Sequence, residues 1–162
     1  MQHECKIEEW TTQPTMSIRT RSSLQAIGKT LSDGFGRIME YLGELGEHPT
    51  GAPYTAYFNE DMDDLDIEIG VQVSKKLPGR GDIESGEMPH GQVATCLHTG
   101  PYAELRPAYE SLSKWVAEHG YDAHGVAYEV YIDDPAQVAP AELKTIVAFP
   151  LKAAERQIEQ AG

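Results

Sequence analysis

Several features that mark common protein classes are missing from this sequence. Its 162 residues include only two cysteines, Cys5 and Cys96, which is too few for the disulfide framework of a small secreted protein. No apolar run approaches the roughly 20 residues that a membrane-spanning helix needs. The N-terminal residues are polar and lack the apolar core of a signal peptide. We therefore expect a cytoplasmic protein whose two thiols are reduced.

Positive charge is also scarce. Lysine and arginine together number 13, against 26 aspartate and glutamate residues, so the formal net charge is −13. Such a chain repels phosphate backbones and has no polybasic surface for anionic lipid. We therefore expect no direct contact with nucleic acid and none with a membrane, whereas a cationic ligand would be attracted.

Motifs of metal, nucleotide and nucleophile sites are absent or incomplete. The acidic segment 60–66 resembles the start of a calcium-binding loop, but Asp66 and Gln72 occupy the positions that require Gly and Glu. The histidines and cysteines do not have zinc-site spacing. The glycines at 79 and 81 lack the third glycine of a dinucleotide fingerprint, and no Gly-x-Ser-x-Gly elbow occurs. We expect neither a metal nor a cofactor.

What the sequence does contain is an internal repeat. A shift of 74 residues places segment 28–59 on segment 102–133 without a gap, and a shift of 78 aligns 67–73 with 145–151. Apart from Ile67 with Thr145, the matched positions are apolar or aromatic in both copies, or glycine in both copies. They include Leu31 with Leu105, Phe35 with Tyr109, Tyr41 with Trp115, Gly46 with Gly120, Tyr54 with Tyr128, and Tyr57 with Tyr131.

The repeat predicts the domain organisation. Residues 1–162 are expected to form one domain, with repeats at 1–76 and 90–152. Segment 77–89 contains three glycines and two prolines and is predicted to be a linker. The polar tail after Lys152 is expected to form a short helix.

Each repeat is predicted to contain a strand, a helix and two more strands. In the first repeat, Ser22 and Gln25 suggest a capping box, and Gly46 suits the end of the helix. The predicted strands of this repeat are 5–21 (broken at Pro14), 53–58 and 65–74, and its helix is 24–45. In the second repeat the strands are 92–99, 126–132 and 145–151, with a helix within 103–119 that becomes regular near Pro107.

This pattern predicts an α+β fold. Two βαββ modules related by a pseudo-twofold axis would give a mostly antiparallel sheet, two main helices and a central cleft. Alternate residues of a strand share a face, so we expect Tyr128, Val130 and Ile132 beneath a helix, with Glu129 and Tyr131 facing the cleft. The same alternation adds six candidate ligand-binding residues, namely Tyr57, Thr55, Glu68, Gly70, Ile146 and Ala148.

These side chains suit an organic cation. Aromatic rings supply contact area and cation–π attraction, and a carboxylate supplies the counter-charge. A buried carboxylate without a partner is costly, so a cation beside Glu129 would relieve that cost. The alternative is that Glu129 is a solvated or ion-paired strand residue, and that Tyr57 and Tyr131 are ordinary core or interface aromatics.

Two stretches of the sequence resemble a known family. One is strand 92–99 with the following turn Gly100-Pro101-Tyr102 and a helix that reaches Trp115. The other is the strand Tyr128-Glu129-Val130-Tyr131 with the closing strand 146–151. On these motifs the chain resembles the GyrI-like family, which includes the effector-binding domains of AraC- and MerR-type bacterial regulators.

The resemblance implies a duplicated βαββ fold whose central cleft binds hydrophobic, often cationic, compounds. Glu129 corresponds to the glutamate that pairs with the ligand, and Tyr102 and Trp115 of the signature become further candidate ligand-binding residues. No helix-turn-helix precedes the domain, so we expect a stand-alone binding protein rather than a complete regulator.

The resemblance leaves other activities open. Some members of the family hydrolyse strained, cyclopropane-bearing toxins, in which case Glu129, Tyr131 and Tyr57 would be catalytic. One member inhibits DNA gyrase, which would make a protein the partner. A relative of the fold binds haem.

Overall fold

The structure is a computed structural model that describes residues 3–152; the helix expected after Lys152 lies outside this range. These residues form one eight-stranded antiparallel sheet and two α-helices, which confirms the predicted α+β class. In chain order the elements are β1 Cys5–Trp10, β2 Pro14–Ser22, α1 Ile27–Leu45, β3 Tyr54–Tyr57, β4 Leu65–Gln72, β5 Ile83–Glu87, β6 Gly91–Thr99, α2 Arg106–Glu118, β7 Ala127–Tyr131 and β8 Lys144–Pro150.

The order of the strands in the sheet reflects the internal repeat of the sequence. It reads β1-β6-β8-β7-β3-β4-β2-β5, so each strand of one half has a counterpart at the same distance from the centre in the other half. The central neighbours are β7 and β3, and Glu129 lies opposite Thr55 in their register. The pseudo-twofold axis therefore passes close to this pair of residues.

The two edge strands are exchanged between the repeats. β1 precedes β2 in the chain but pairs with β6 of the second repeat, and β5 pairs with β2 of the first. Segment 77–89, predicted as a linker, thus contains a strand. Residues 5–21, predicted as one interrupted strand, instead form two strands in different halves of the sheet. Pro14 begins β2, at the end of a strand where a missing N–H is tolerated.

Each helix packs against the strands of its own half of the sheet. α1 contacts β2 and β4, and α2 contacts β6, β8 and the exchanged β1. α1 begins at Ile27, and its N-cap, Ala26, has no side-chain cap. The Ser22 hydroxyl bonds to the Thr30 hydroxyl at 3.0 Å, so the capping box predicted with Gln25 does not form. Gly46 ends α1 with a φ of 71°, as its position predicted.

The face of the sheet without helices has a core of its own. Trp10, at the end of the exchanged β1, packs edge-on against Tyr128 with ring centroids 5.9 Å apart. The buried residues on this face are Tyr54, Ala56, Met88, Val93, Tyr128, Val130 and Ala148. The centre of the sheet is therefore covered on both faces, so alternation alone does not tell which side chains face the helices.

In the part of the chain that the structure describes, no helix is both long and apolar enough to cross a lipid bilayer.

Candidate ligand-binding site

Glu129 is a buried carboxylate on the helix-covered face of the sheet. It is 8% exposed and lies in β7 between Thr55 of β3 and Val147 of β8. The Tyr109 hydroxyl, from α2, donates to Oε2 at 2.5 Å, and the Tyr131 hydroxyl donates to Oε1 at 2.9 Å. Each carboxylate oxygen thus accepts a hydrogen bond from a phenol, and the bond from Tyr109 has the short length of a charge-assisted one.

The protonation of this cluster follows from its burial. Desolvation raises the pKa of Glu129 above its ordinary value, while hydrogen bonds from Tyr109, Tyr131 and Tyr57 act in the opposite direction. Desolvation and the nearby Glu129 charge raise the pKa values of Tyr109 and Tyr131 well above their ordinary range, so both phenols remain donors. None of the ion pairs within residues 3–152 includes Glu129, so hydroxyls rather than a cation stabilise its charge.

Aromatic rings from both helices form a cluster next to the hydrogen-bonded pair of Glu129 and Tyr131. Phe35 of α1 meets the Tyr131 ring edge-on at 6.3 Å between centroids, and Tyr102 meets the same ring at 5.5 Å. Tyr109 packs on Phe149 of β8 at 6.1 Å. Tyr102 lies in the short turn before α2 and is 39% exposed, which places it at the outer edge of the ring cluster.

The site is asymmetric although the fold is nearly symmetric. Phe35 and Thr55 occupy the repeat positions of Tyr109 and Glu129. The counterpart of the hydrogen-bonded phenol and carboxylate is therefore an apolar ring and a small hydroxyl. One carboxylate between two similar halves suits a ligand with a single positive charge.

The predicted ligand-binding residues divide between the two faces of the sheet. On the helix-covered face, the structure brings Tyr131, Thr55, Tyr57 and Tyr102 together around Glu129. The residues placed on the opposite face are Glu68, Gly70, Ile146 and Ala148, which lie beside Ala56, Tyr54, Val130 and Tyr128 in the register. The expectation that all of them share one face is wrong.

Trp115 belongs to neither group. It lies near the C-terminal end of α2, where its ring stacks on His119 with centroids 4.1 Å apart and on Tyr121 at 6.0 Å. In the described part of the chain its ring contacts do not include the tyrosines around Glu129.

The face of the sheet toward which each side chain of β7 points was predicted incorrectly. Tyr128 and Val130 were expected beneath a helix but lie on the helix-free face, while Glu129 faces α2. Ile132, expected with them, lies just beyond β7 and is 47% exposed. Tyr128 and Val130 pack into the core of the helix-free face, whereas Glu129 and Tyr131 lie on the helix-covered face and hydrogen-bond to each other. Apolarity therefore did not identify the helix-covered face.

Sequence reasoning also missed two residues of the site. Phe35 and Tyr109 were named only as matched positions of the repeat, within the predicted helices, but they lie next to Tyr131 and Glu129. A signal was present, because a tyrosine within a buried helix stripe carries a hydroxyl that needs a partner. Phe35, the repeat counterpart of Tyr109, occupies the equivalent helix position in the other half.

Comparison with solved structures gives the same fold. The chain is similar to EcmrR in its cryo-EM complex with DNA (TM-score 0.82, 24% identity, 94% of this chain), and it spans only 58% of the EcmrR chain. It is also similar to a hydrolase from Listeria innocua (TM-score 0.68, 11% identity, 93% of each chain). A third similar structure is SAV2435 bound to tetraphenylphosphonium (TM-score 0.60, 11% identity, 96% of this chain and 98% of that one).

These identities are low enough that the likeness concerns the fold alone. No curated protein matches the sequence. The model of the GyrI-like small molecule binding domain, however, matches residues 3–152, the whole described part of the chain. The resemblance predicted from the two motifs is thereby confirmed: the chain belongs to the GyrI-like family of small-molecule-binding domains.

Proposed function

We propose that this protein binds a hydrophobic organic cation between α1 and α2, with Glu129 as the counter-charge. The observation that carries the proposal is the buried Glu129 carboxylate, which phenol hydroxyls stabilise and which forms no ion pair within residues 3–152. Keeping such a charge away from water is costly, and a cation beside it would offset that cost.

The aromatic surroundings support a lipophilic rather than a small hydrated cation. Tyr109 and Tyr131 contact the carboxylate, and the rings of Phe35 and Tyr102 pack on Tyr131. Together these four rings offer apolar area and electron-rich faces. The formal net charge of −13 favours the approach of any cation. Because Glu129 is nearly fully buried, a ligand that contacts it must displace at least one of these rings.

The proposal is tested by calorimetric titration with tetraphenylphosphonium, the compound bound in the similar SAV2435 structure. We expect binding by the wild type and an affinity at least tenfold lower in Glu129→Gln, which corresponds to about 1.4 kcal/mol. Glu68→Gln is the matched control. Glu68 also accepts a 2.5 Å bond from a tyrosine, Tyr54, but on the opposite face of the sheet. The affinity of the Glu68→Gln variant for tetraphenylphosphonium should equal that of the wild type.

Two outcomes would contradict the proposal. One is the absence of binding by a wild-type protein whose fold is confirmed by circular dichroism. The other is equal affinity of the wild type and Glu129→Gln, which would show that the carboxylate does not contribute to recognition. A loss in Glu68→Gln alone would move the site to the helix-free face.

A hydrolase is the second candidate, and the carboxyl group itself favours it. A carboxyl with a raised pKa beside phenol donors has the properties of a general acid–base pair. If the protein is a hydrolase, a strained cyclopropane-bearing electrophile should be opened by water at a rate that Glu129→Gln abolishes. Binding without product formation would exclude this candidate for the compound tested.

A further inference from the structure

The only two cysteines of the chain lie directly opposite each other in the structure. Cys5 of β1 and Cys96 of β6 are register partners in an antiparallel pair. Directly opposite residues in such a pair have Cα atoms about 4.5–5.5 Å apart, which is within the roughly 4.4–6.8 Å that disulfides span. Both cysteines are free thiols in this structure.

The two thiols differ in accessibility. Cys96 is fully buried beneath α2 in the core of the second half, whereas Cys5 is partly exposed at the edge of that core. Burial raises the pKa of the Cys96 thiol, and Cys5 lies close enough to Cys96 to raise it further. The accessible thiol can therefore react with a reagent from solution, and the buried thiol is positioned to react next.

We propose that Cys5 and Cys96 form a reversible intramolecular disulfide, with a low-molecular-weight disulfide as the oxidant, and that this bond fixes the exchanged strand β1 to β6. The Cys5 thiolate attacks one sulfur of the oxidant and releases one small thiol. The Cys96 thiolate then attacks Sγ of Cys5 and releases the second. Two protein thiols are oxidised, one small disulfide is reduced, and the two protons are carried by the released thiols.

The position of the bond gives it a structural effect. β1 is an edge strand that comes from the other repeat, and it is held by its single ladder to β6, by contacts with α2 and by the packing of Trp10 against Tyr128. A disulfide here closes a loop of about 90 residues, which restricts the unfolded chain and disfavours detachment of the strand. Burial raises the pKa of Cys96 to about 12, so the bond forms slowly and the equilibrium, not the rate, is the quantity to measure.

The test uses the full chain equilibrated in glutathione buffers of increasing oxidised fraction, then quenched in acid and alkylated. We expect a monomeric species that has lost two hydrogen atoms and takes up no alkylating reagent, with a peptide map joining Cys5 to Cys96. Its thermal midpoint should rise by on the order of 10 °C and return to the original value after dithiothreitol. Cys5→Ser, a conservative change at the accessible position, should show neither the mass change nor the rise.

Each other outcome overturns the proposal. If both thiols are still alkylated after equilibrium with oxidised glutathione, or if only intermolecular disulfides form, the two cysteines serve packing alone. If the internal disulfide forms without a higher midpoint, it does not fix β1. None of these readouts depends on ligand binding, so the result is independent of the proposed function.

Discussion

Thr55 and Glu129 lie directly opposite each other in the central strand pair, and they are separated by 74 residues, the period of the repeat. The same position of the fold therefore carries a hydroxyl in one copy and a carboxylate in the other. Thr55 Oγ1 lies 2.9 Å from the Tyr131 hydroxyl, which donates to Glu129. The two copies thus form one polar network, and the difference at this pair places a single negative charge at the centre of a nearly symmetric sheet.

The first prediction concerns the stability cost of Glu129. Burial raises the pKa of Glu129 in the folded state. The protonated side chain therefore contributes fully to the free energy of unfolding below the ordinary glutamate pKa, and this contribution is lost as the pH rises through the folded-state pKa. Glu129→Gln, which resembles the protonated form, should be more stable than the wild type at pH 7 by on the order of 1 kcal/mol. The difference should vanish near pH 4. Urea unfolding at both pH values measures it, and a wild type that is the more stable protein at pH 7 would contradict the prediction.

The second prediction concerns the pH dependence of binding. A quaternary phosphonium keeps its charge at every pH, so only the protein titrates. As the pH falls through the raised pKa of Glu129, protonation removes the counter-charge, and the affinity for tetraphenylphosphonium should fall at least tenfold. Glu129→Gln should show a flat profile across the same range. Parallel profiles for the two proteins would assign the pH dependence to other groups.

The third prediction concerns the phenol of Tyr109. Tyr109→Phe removes the 2.5 Å hydrogen bond to a buried carboxylate, which should lower the free energy of unfolding by about 1.5–3 kcal/mol at pH 7. The cost should be smaller near pH 4, where Glu129 is protonated. Tyr121→Phe is the control, because the Tyr121 hydroxyl makes no hydrogen bond within residues 3–152, and its effect should stay below about 0.5 kcal/mol. Equal losses in the two variants would show that the bond contributes nothing specific.

The fourth prediction concerns Gly70, which lies beneath the Tyr54 ring on the helix-free face. A Cβ at this position would overlap the ring, and Tyr54 is fully buried, so Gly70→Ala should cost about 1–3 kcal/mol. Gly43→Ala is the matched change on α1, where nothing lies within 4 Å of the added carbon. It should stabilise the protein by about 0.5–1 kcal/mol. Thermal unfolding of both variants checks the opposite signs.

The fifth prediction concerns the exchanged strands. A chain divided between residues 76 and 77 gives one fragment with β1 to β4 and another with β5 to β8, and each holds an edge strand that pairs in the other. We expect each fragment alone to lack cooperative unfolding, because its edge strand has no partner. An equimolar mixture should recover the native circular dichroism spectrum. A fragment that unfolds cooperatively on its own would show that the exchange is dispensable.

Much of the architecture was predictable because it is local or repeated. The apolar periodicity of α1 and α2, the alternation in β4 and the 74-residue shift each depend on residues close in sequence or on a comparison of the sequence with itself. Glu129, Tyr131, Thr55 and Tyr57 were chosen for one cluster, and the structure does bring them together. That they bind a ligand remains a proposal.

By itself the sequence determined the element types, the duplication and the presence of one carboxylate among the tyrosines of the central strands. Tertiary structure alone decided three things: the exchange of β1 and β5, the face toward which β7 turns Glu129, and the placing of Phe35 and Tyr109 beside that face. The physical reason is that strand pairing and face choice depend on which distant surfaces bury each other. Both faces of this sheet are buried, so the apolar residues of a single strand are compatible with either orientation.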